Sequence, residues 1–306
     1  MNKPYIELHN RNSFGDIVNV YFDFLKHNFK NYTSIYLRYN AISIILSVIA
    51  SYLLVTGFLG LASRDFRFGM GNSVDNEFYF FAAVIILFII LFITSLINYS
   101  FSSAYLSEYA NNKGIVDSKN IWKRIKQNIG AIVLFIFLGF GMYIVYFMIS
   151  AVLTFIPFIG MLAQYGISFL MSALFGLTFM SIFSDNKGIG DAISEGWGFT
   201  FSNFGKVLLY GFVIGILNLL INVFIISFPS YLIGFYVYFS AESDIDLMSS
   251  TLASIIFTFG FAIFLLSFIY TQALSQIAFG ILYYNLYEDK YNVYLRQKIE
   301  EIGVNE

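Results

Sequence analysis

Apolar side chains fall along this chain in six long runs separated by short polar stretches. A helix needs about 20 mostly apolar residues to cross a hydrocarbon core about 30 Å thick. Residues 39–62, 78–102, 131–155, 161–183, 207–228 and 251–284 each meet that length, so six transmembrane helices are predicted. Between the third and fourth lies only the uncharged "IPFIG" (156–160), where Pro157 and Gly160 predict a tight turn and a helical hairpin.

A shorter pattern precedes the first, third and fifth runs. Before the first, Phe14, Ile17, Val18, Tyr21, Leu25 and Phe29 recur at helical spacing opposite Asp23, Lys26 and Lys30, with Ser13 as N-cap and Asp16 three residues on. Before the third, Ile121, Trp122, Ile125 and Ile129 form the stripe, opposite Lys119, Lys123, Arg124 and Lys126. Before the fifth, Ile189, Ile193, Trp197, Phe201 and Phe204 do the same, and Gly188, Gly190, Gly196 and Gly198 loosen that helix at about 1 kcal/mol each. The three segments close on similar phrases, "HNFKNY", "QNIGAI" and "SNFGKV".

The chain thus reads as three pseudo-repeats of an interfacial amphipathic helix followed by a transmembrane hairpin. The expected fold is an all-α polytopic membrane bundle forming a single integral membrane domain, with an N-terminal arm (1–38), a six-span bundle (39–284) and a tail (285–306). An apolar face beside a cationic one suits a helix in the headgroup layer of an anionic leaflet, where each cation contributes about 1 kcal/mol. Lys119, Lys123, Arg124 and Lys126 are therefore candidate contacts for anionic lipid. The alternative is a connector packed against neighbouring helix ends.

Composition sharpens the class. The chain is 58% hydrophobic and 12% charged, where soluble domains are about one quarter charged. Cysteine is absent, which excludes disulfides, thiolate metal sites and cysteine nucleophiles. The opening "MNKPYIELHNRNSFGD" lacks the apolar core and cleavage site of a removable signal, so the first span is expected to serve for targeting. Of the 17 Lys and Arg residues, all but Arg64 and Arg67 lie in the arm, the second and fourth connections or the tail. Cations in short connections stay in the cytoplasm. Both termini are accordingly expected on the cytoplasmic side of a bacterial inner membrane.

Candidate chemistry is sparse. No charged side chain lies between Lys126 and Asp185, Lys206 and Glu242, or Asp246 and Glu288. Ion-coupled transporters usually keep ionisable groups inside the bundle, and intramembrane hydrolysis needs a base or a metal cluster. His9 and His27, the two histidines, have no partner at metal-ligand spacing. No catalytic, metal or cofactor site is expected, and no nucleic-acid partner. The spans instead carry small and neutral polar residues in helical register: Gly211, Gly215, Asn218 and Asn222 in the fifth, Ser168, Ser172 and Gly176 in the fourth, and Gln272, Gln276 and Gly280 in the sixth. Such faces join helices, and the same amides are the candidate lining of a ligand path. After the fifth span Pro229 is expected to break or kink the helix, returning "SYLIGFYVYF" (230–239) along the outer interface as an aromatic belt.

The phrases "SEYANNKGIVD" (107–117), "ISEGWGFTFSNFGKVL" (193–208) and "YYNLYEDKYNVYLRQKIEEIG" (283–303) resemble those of a bacterial, Bacteroidota-type family of six-span inner-membrane proteins. More distantly, the helix-plus-hairpin plan is similar to the membrane domain of glycerophosphodiester phosphodiesterases. Their catalytic barrel has no counterpart here, so the resemblance implies a membrane fold without that activity, and it brings no functional residues. The expected role is a non-catalytic scaffold or accessory subunit that packs against other integral membrane proteins and membrane lipids. The alternative is a carrier or lateral-access binder for a neutral or amphiphilic molecule.

Overall fold

The computed structural model of the chain describes residues 5–62, 73–184, 187–243, 245–247, 250–293, 296 and 299. Lys3, Arg64, Arg67, Asp185 and Lys298, used above as charge markers, lie outside the described residues. The described residues form helices Phe14–Tyr39 (α1), Ala41–Ala62 (α2), Ser73–Asn111 (α3), Ser118–Gln127 (α4), Ile129–Leu153 (α5), Ile159–Ser184 (α6), Ile189–Ser202 (α7), Phe204–Glu242 (α8) and Thr251–Tyr291 (α9). Helices α2, α3, α5, α6, α8 and α9 are long and apolar enough to cross a membrane. The chain is an all-α, multi-pass membrane bundle, and a more polar helix (α1, α4 or α7) precedes each of the three helix pairs.

Local chemistry explains the joints. Ser13 Oγ donates to Asp16 Oδ2 at 2.6 Å and its carbonyl accepts Ile17 N at 3.1 Å, starting α1 as its cap. Asp117 caps α4 by accepting Lys119 N at 2.9 Å. The turn between α5 and α6 is the tight one expected: Gly160 N donates to Ile156 O at 2.9 Å. A Cβ at Gly160 would overlap the Leu153 carbonyl, so the closure requires glycine there.

Two expectations change. Helix α8 does not end at Pro229 but continues to Glu242, with Pro229 inside it. Proline removes one backbone donor, a loss that local adjustment and neighbouring groups absorb in membrane helices. The segment 230–239 is therefore a helical extension and not a returning stretch. The length criterion also understates the helices: α3 and α8 have 39 residues and α9 has 41. At 1.5 Å per residue these reach about 60 Å, roughly twice the hydrocarbon thickness.

The chain divides into two compact units, neither of them one continuous segment. The first comprises Met1–Leu37, Asn98–Leu217 and Ala273–Glu306. Its core consists of the C-terminal parts of α3, α6 and α9, which are buried on every side over 100–109, 173–183 and 276–286. Ser107 Oγ donates to Phe183 O at 2.9 Å, and Gln276 Nε2 donates to Ser103 Oγ at 2.7 Å and Gly176 O at 3.0 Å. Gly280 lies against Leu106 and Met180. Each of the three helices thus contacts the other two.

The second unit comprises Arg38–Ile97 and Asn218–Gln272. Ser43, Ser47 and Ser51 form a buried small-residue stripe on α2. Ser47 and Ser51 each return a hydroxyl to the carbonyl four residues back, at 2.7 and 2.6 Å. The α8 extension packs on the start of α9, with Ile233 against Gly260 and Tyr236 OH 2.7 Å from Ser250 Oγ. A cavity of about 400 Å³ there is lined by Leu54, Phe58, Pro229, Ile233, Phe257 and Gly260, among others.

Candidate functional site

The predicted small-residue and amide faces act as contacts between helices. Gly211 and Gly215 both receive Phe169 of α6: a Cβ would stand 3.1 Å from Phe169 Cβ at Gly211 and 2.7 Å from Phe169 Cε1 at Gly215. Asn222 is buried, accepts from Ser267 Oγ, and donates to Thr271 Oγ1 at 3.2 Å. Gln276 is fully buried and joins α3 and α6 to α9, so the faces read on the fourth and sixth spans meet through Gly176. Asn218 and Gln272 are half-buried and hold interactions with neighbours. None of these six residues lines the α2–α8–α9 cavity or the groove described next.

That groove, of about 640 Å³, runs between α5 and α6 and is bordered by Trp197 and Phe201 of α7. Its lining side chains are apolar apart from the Trp197 indole N–H and the Tyr146 hydroxyl, which donates to Gln164 O at 3.3 Å.

The basic segment divides. Lys119, Lys123 and Lys126 are exposed, and Lys126 Nζ stands 5.2 Å from the centre of the Trp122 ring. Arg124 differs from its neighbours. Its Nε donates to Glu108 Oε2 at 3.1 Å and its Nη1 donates to Ser107 Oγ at 3.1 Å. The reason is the buried Glu108 carboxylate, 2% exposed, which costs several kcal/mol to desolvate unless a cation and donors meet it. Asn112 and Asn120 complete the set on Oε1 at 2.5 and 2.7 Å.

The helix faces also depart from expectation. On α1 the buried stripe is Ile17, Tyr21, Phe24, Asn28, Tyr32, Ile35 and Tyr36, so Ile17 and Tyr21 are inside as read, whereas Phe29 is exposed. On α4, Ile121 and Ile125 are buried while Trp122 faces outward, and Ile129, at the start of α5, is also exposed. On α7 the protein-facing side is Ala192, Glu195, Gly196, Phe199 and Thr200, and Trp197 and Phe201 point away, as does Phe204 at the start of α8. Gly196 does not loosen this helix. It seats α7 on α6, since a Cβ there would overlap Thr178 Oγ1 and lie 3.0 Å from Thr178 N.

Glu195 is the second buried carboxylate that sequence reasoning passed over. Ser181 Oγ at 2.5 Å and Tyr283 OH at 3.0 Å donate to Oε2, while Lys187 Nζ at 2.7 Å and Tyr291 OH at 3.2 Å donate to Oε1. A carboxylate has about four acceptor sites, and all are used. Asp289, only half-buried, is paired with Arg11 Nε at 2.9 Å and Lys206 Nζ at 3.0 Å. Nearby, Asn285 Nδ2 donates to Asn10 O and Asn12 O at 3.0 and 3.3 Å. Each carboxylate ties the end of a core helix to a shorter helix or the strand of chain leading into one.

A repeat in the core helices would have pointed to these positions. Phe101, Phe175 and Phe279 are each followed by a small residue (Ser102, Gly176, Gly280), then by aromatics four and eight positions on, with Ser107, Ser181 and Asn285 six positions on. Those three bond Arg124, Glu195 and the Asn12 carbonyl. The shorter helices repeat as well: Asn28, Asn128 and Asn203 each donate Nδ2 to the carbonyl four residues back at 3.1 to 3.2 Å. In that register Phe22, Trp122 and Trp197 are 48%, 48% and 52% exposed, and Phe29, Ile129 and Phe204 are 49%, 46% and 47% exposed. The repeat therefore presents an outward apolar pair seven residues apart three times: within α1, across the α4–α5 joint and across the α7–α8 joint. Comparison of the chain with models of known protein families, with curated proteins and with solved structures gives no match.

Proposed function

We infer that the protein is a non-catalytic scaffold or accessory subunit, embedded in a bacterial cytoplasmic membrane, that packs against other integral membrane proteins and against lipid. The observation that carries this reading is the use made of polar groups inside the bundle. Gln276 Nε2 and both amide atoms of Asn222 bond neighbouring helices, and Gly211 and Gly215 seat Phe169. A carrier needs such groups turned toward a passage. The large apolar side chains that remain on the surface, including Phe147 and Phe224 at 74% and 81% exposure, offer packing area instead. The outward pairs on α1 and at the α4–α5 and α7–α8 joints support a second contact, with the headgroup boundary.

Affinity purification in mild detergent followed by quantitative mass spectrometry tests the proposal. The expected result is one or a few integral membrane proteins recovered in near-stoichiometric amount, retained in an Asn222→Leu variant. A chain recovered alone, with a small neutral ligand lost on Asn222→Leu, would favour the carrier.

A further inference from the structure

We propose that the groove between α5 and α6 is a binding site for one acyl chain of a membrane phospholipid, seated from the side and closed at one end by Trp197 and Phe201. Its wall on α5 runs from Leu138 to Ile149, about 17 Å along the helix axis. Met142 and Met171 line it, and thioether side chains adapt to a flexible apolar guest. Gly141 leaves it open, because a Cβ there would meet nothing within 4 Å. The groove is continuous with the outward face of α5, where Ile144, Phe147 and Met148 are exposed, and with the outward stripe of α7.

Shape selects the occupant. Helices α5 and α6 touch each other on either side of the slot, through Tyr146 to Gln164 O and through Gly139 against Phe175. Packed helices stand about 8 to 10 Å apart, and a third helix about 10 to 12 Å wide does not enter between them. A polymethylene chain does. With no charged residue in the lining, recognition is of the chain and not of a headgroup.

This inference rests on α5 and α6 lying in a bilayer and is independent of any partner subunit. The chain's two tryptophans, Trp122 and Trp197, separate site from surroundings. The full chain is reconstituted in phosphatidylcholine vesicles containing increasing fractions of the same lipid with dibrominated acyl chains, which quench tryptophan on contact. Trp122→Phe leaves Trp197 as reporter, and Trp197→Phe leaves Trp122. Quenching of Trp197 is expected to follow the bromolipid fraction linearly, as one exchanging chain in one site does, and to reach a greater depth than that of Trp122, which senses only the surrounding lipid. Gly141→Leu fills the groove and should remove most of the Trp197 quenching in excess of that seen at Trp122, because the chain no longer reaches the ring. Val145→Phe, at a position 56% exposed, serves the same purpose with little demand on folding. Quenching of Trp197 no deeper than that of Trp122 and unchanged by both variants would overturn the site while leaving both helices in the bilayer. Absence of quenching at either tryptophan would overturn the bilayer placement along with it.

Discussion

Gly196 and Gly198 stand two residues apart on α7 in opposite surroundings. A Cβ at Gly196 overlaps Thr178, including its backbone, whereas at Gly198 it meets nothing within 4 Å. Gly196→Ala should therefore cost about 1 to 3 kcal/mol by forcing α7 off α6. Gly198→Ala should stabilise by up to about 1 kcal/mol through helix propensity. Thermal unfolding in detergent reads both, and equal shifts would refute the seat at Thr178. Gly211 and Asn222 make a similar pair. Gly211→Leu meets Phe169 close to its backbone and should lower stability more than Asn222→Leu. Thr271 already donates to Ser267 O and Phe268 O at 3.1 Å, and intramembrane hydrogen bonds average about 0.6 kcal/mol.

Helix α4 does two things with its cations. Arg124 is committed to Glu108, so Arg124→Gln leaves a buried carboxylate without its counter-charge and should cost about 3 kcal/mol. Changing Lys119, Lys123 and Lys126 together to Gln removes only exposed charge. It should leave the melting temperature unchanged and weaken retention of anionic lipid in native mass spectrometry. Loss of lipid on Arg124→Gln alone, with stability intact, would reverse these assignments. The division was not legible in the sequence, where all four cations share one polar side. Only the return of α3 beside α4 brings Glu108 within reach. The faces of α1, α4 and α7 were partly legible for a related reason. Periodicity locates an apolar stripe, but in a membrane both lipid and protein interior accept one, so the stripe of α7 turned outward while Glu195 and Gly196 turned in.

For the whole molecule, the proposed orientation predicts that a reporter fused at Asp246, between α8 and α9, reads as external and one fused at Asp117, before α4, as cytoplasmic. A cytoplasmic signal at Asp246 would overturn the six-span topology. That topology follows from the sequence by itself, because membrane-length apolar runs and the charges between them are properties of the linear chain. The helix-plus-hairpin repeat follows in the same way from recurring phrases and spacing. Tertiary structure alone decided what the polar groups do. Glu108 finds Arg124 16 positions on, Glu195 finds Lys187 and Tyr291 8 and 96 positions away, and Asp289 finds Arg11 near the start of the chain. Pro229 lies within α8, whose extension packs on α9. The physical reason is that burying a charge or breaking a helix is affordable only where neighbours supply the missing bonds, and those neighbours are distant in sequence.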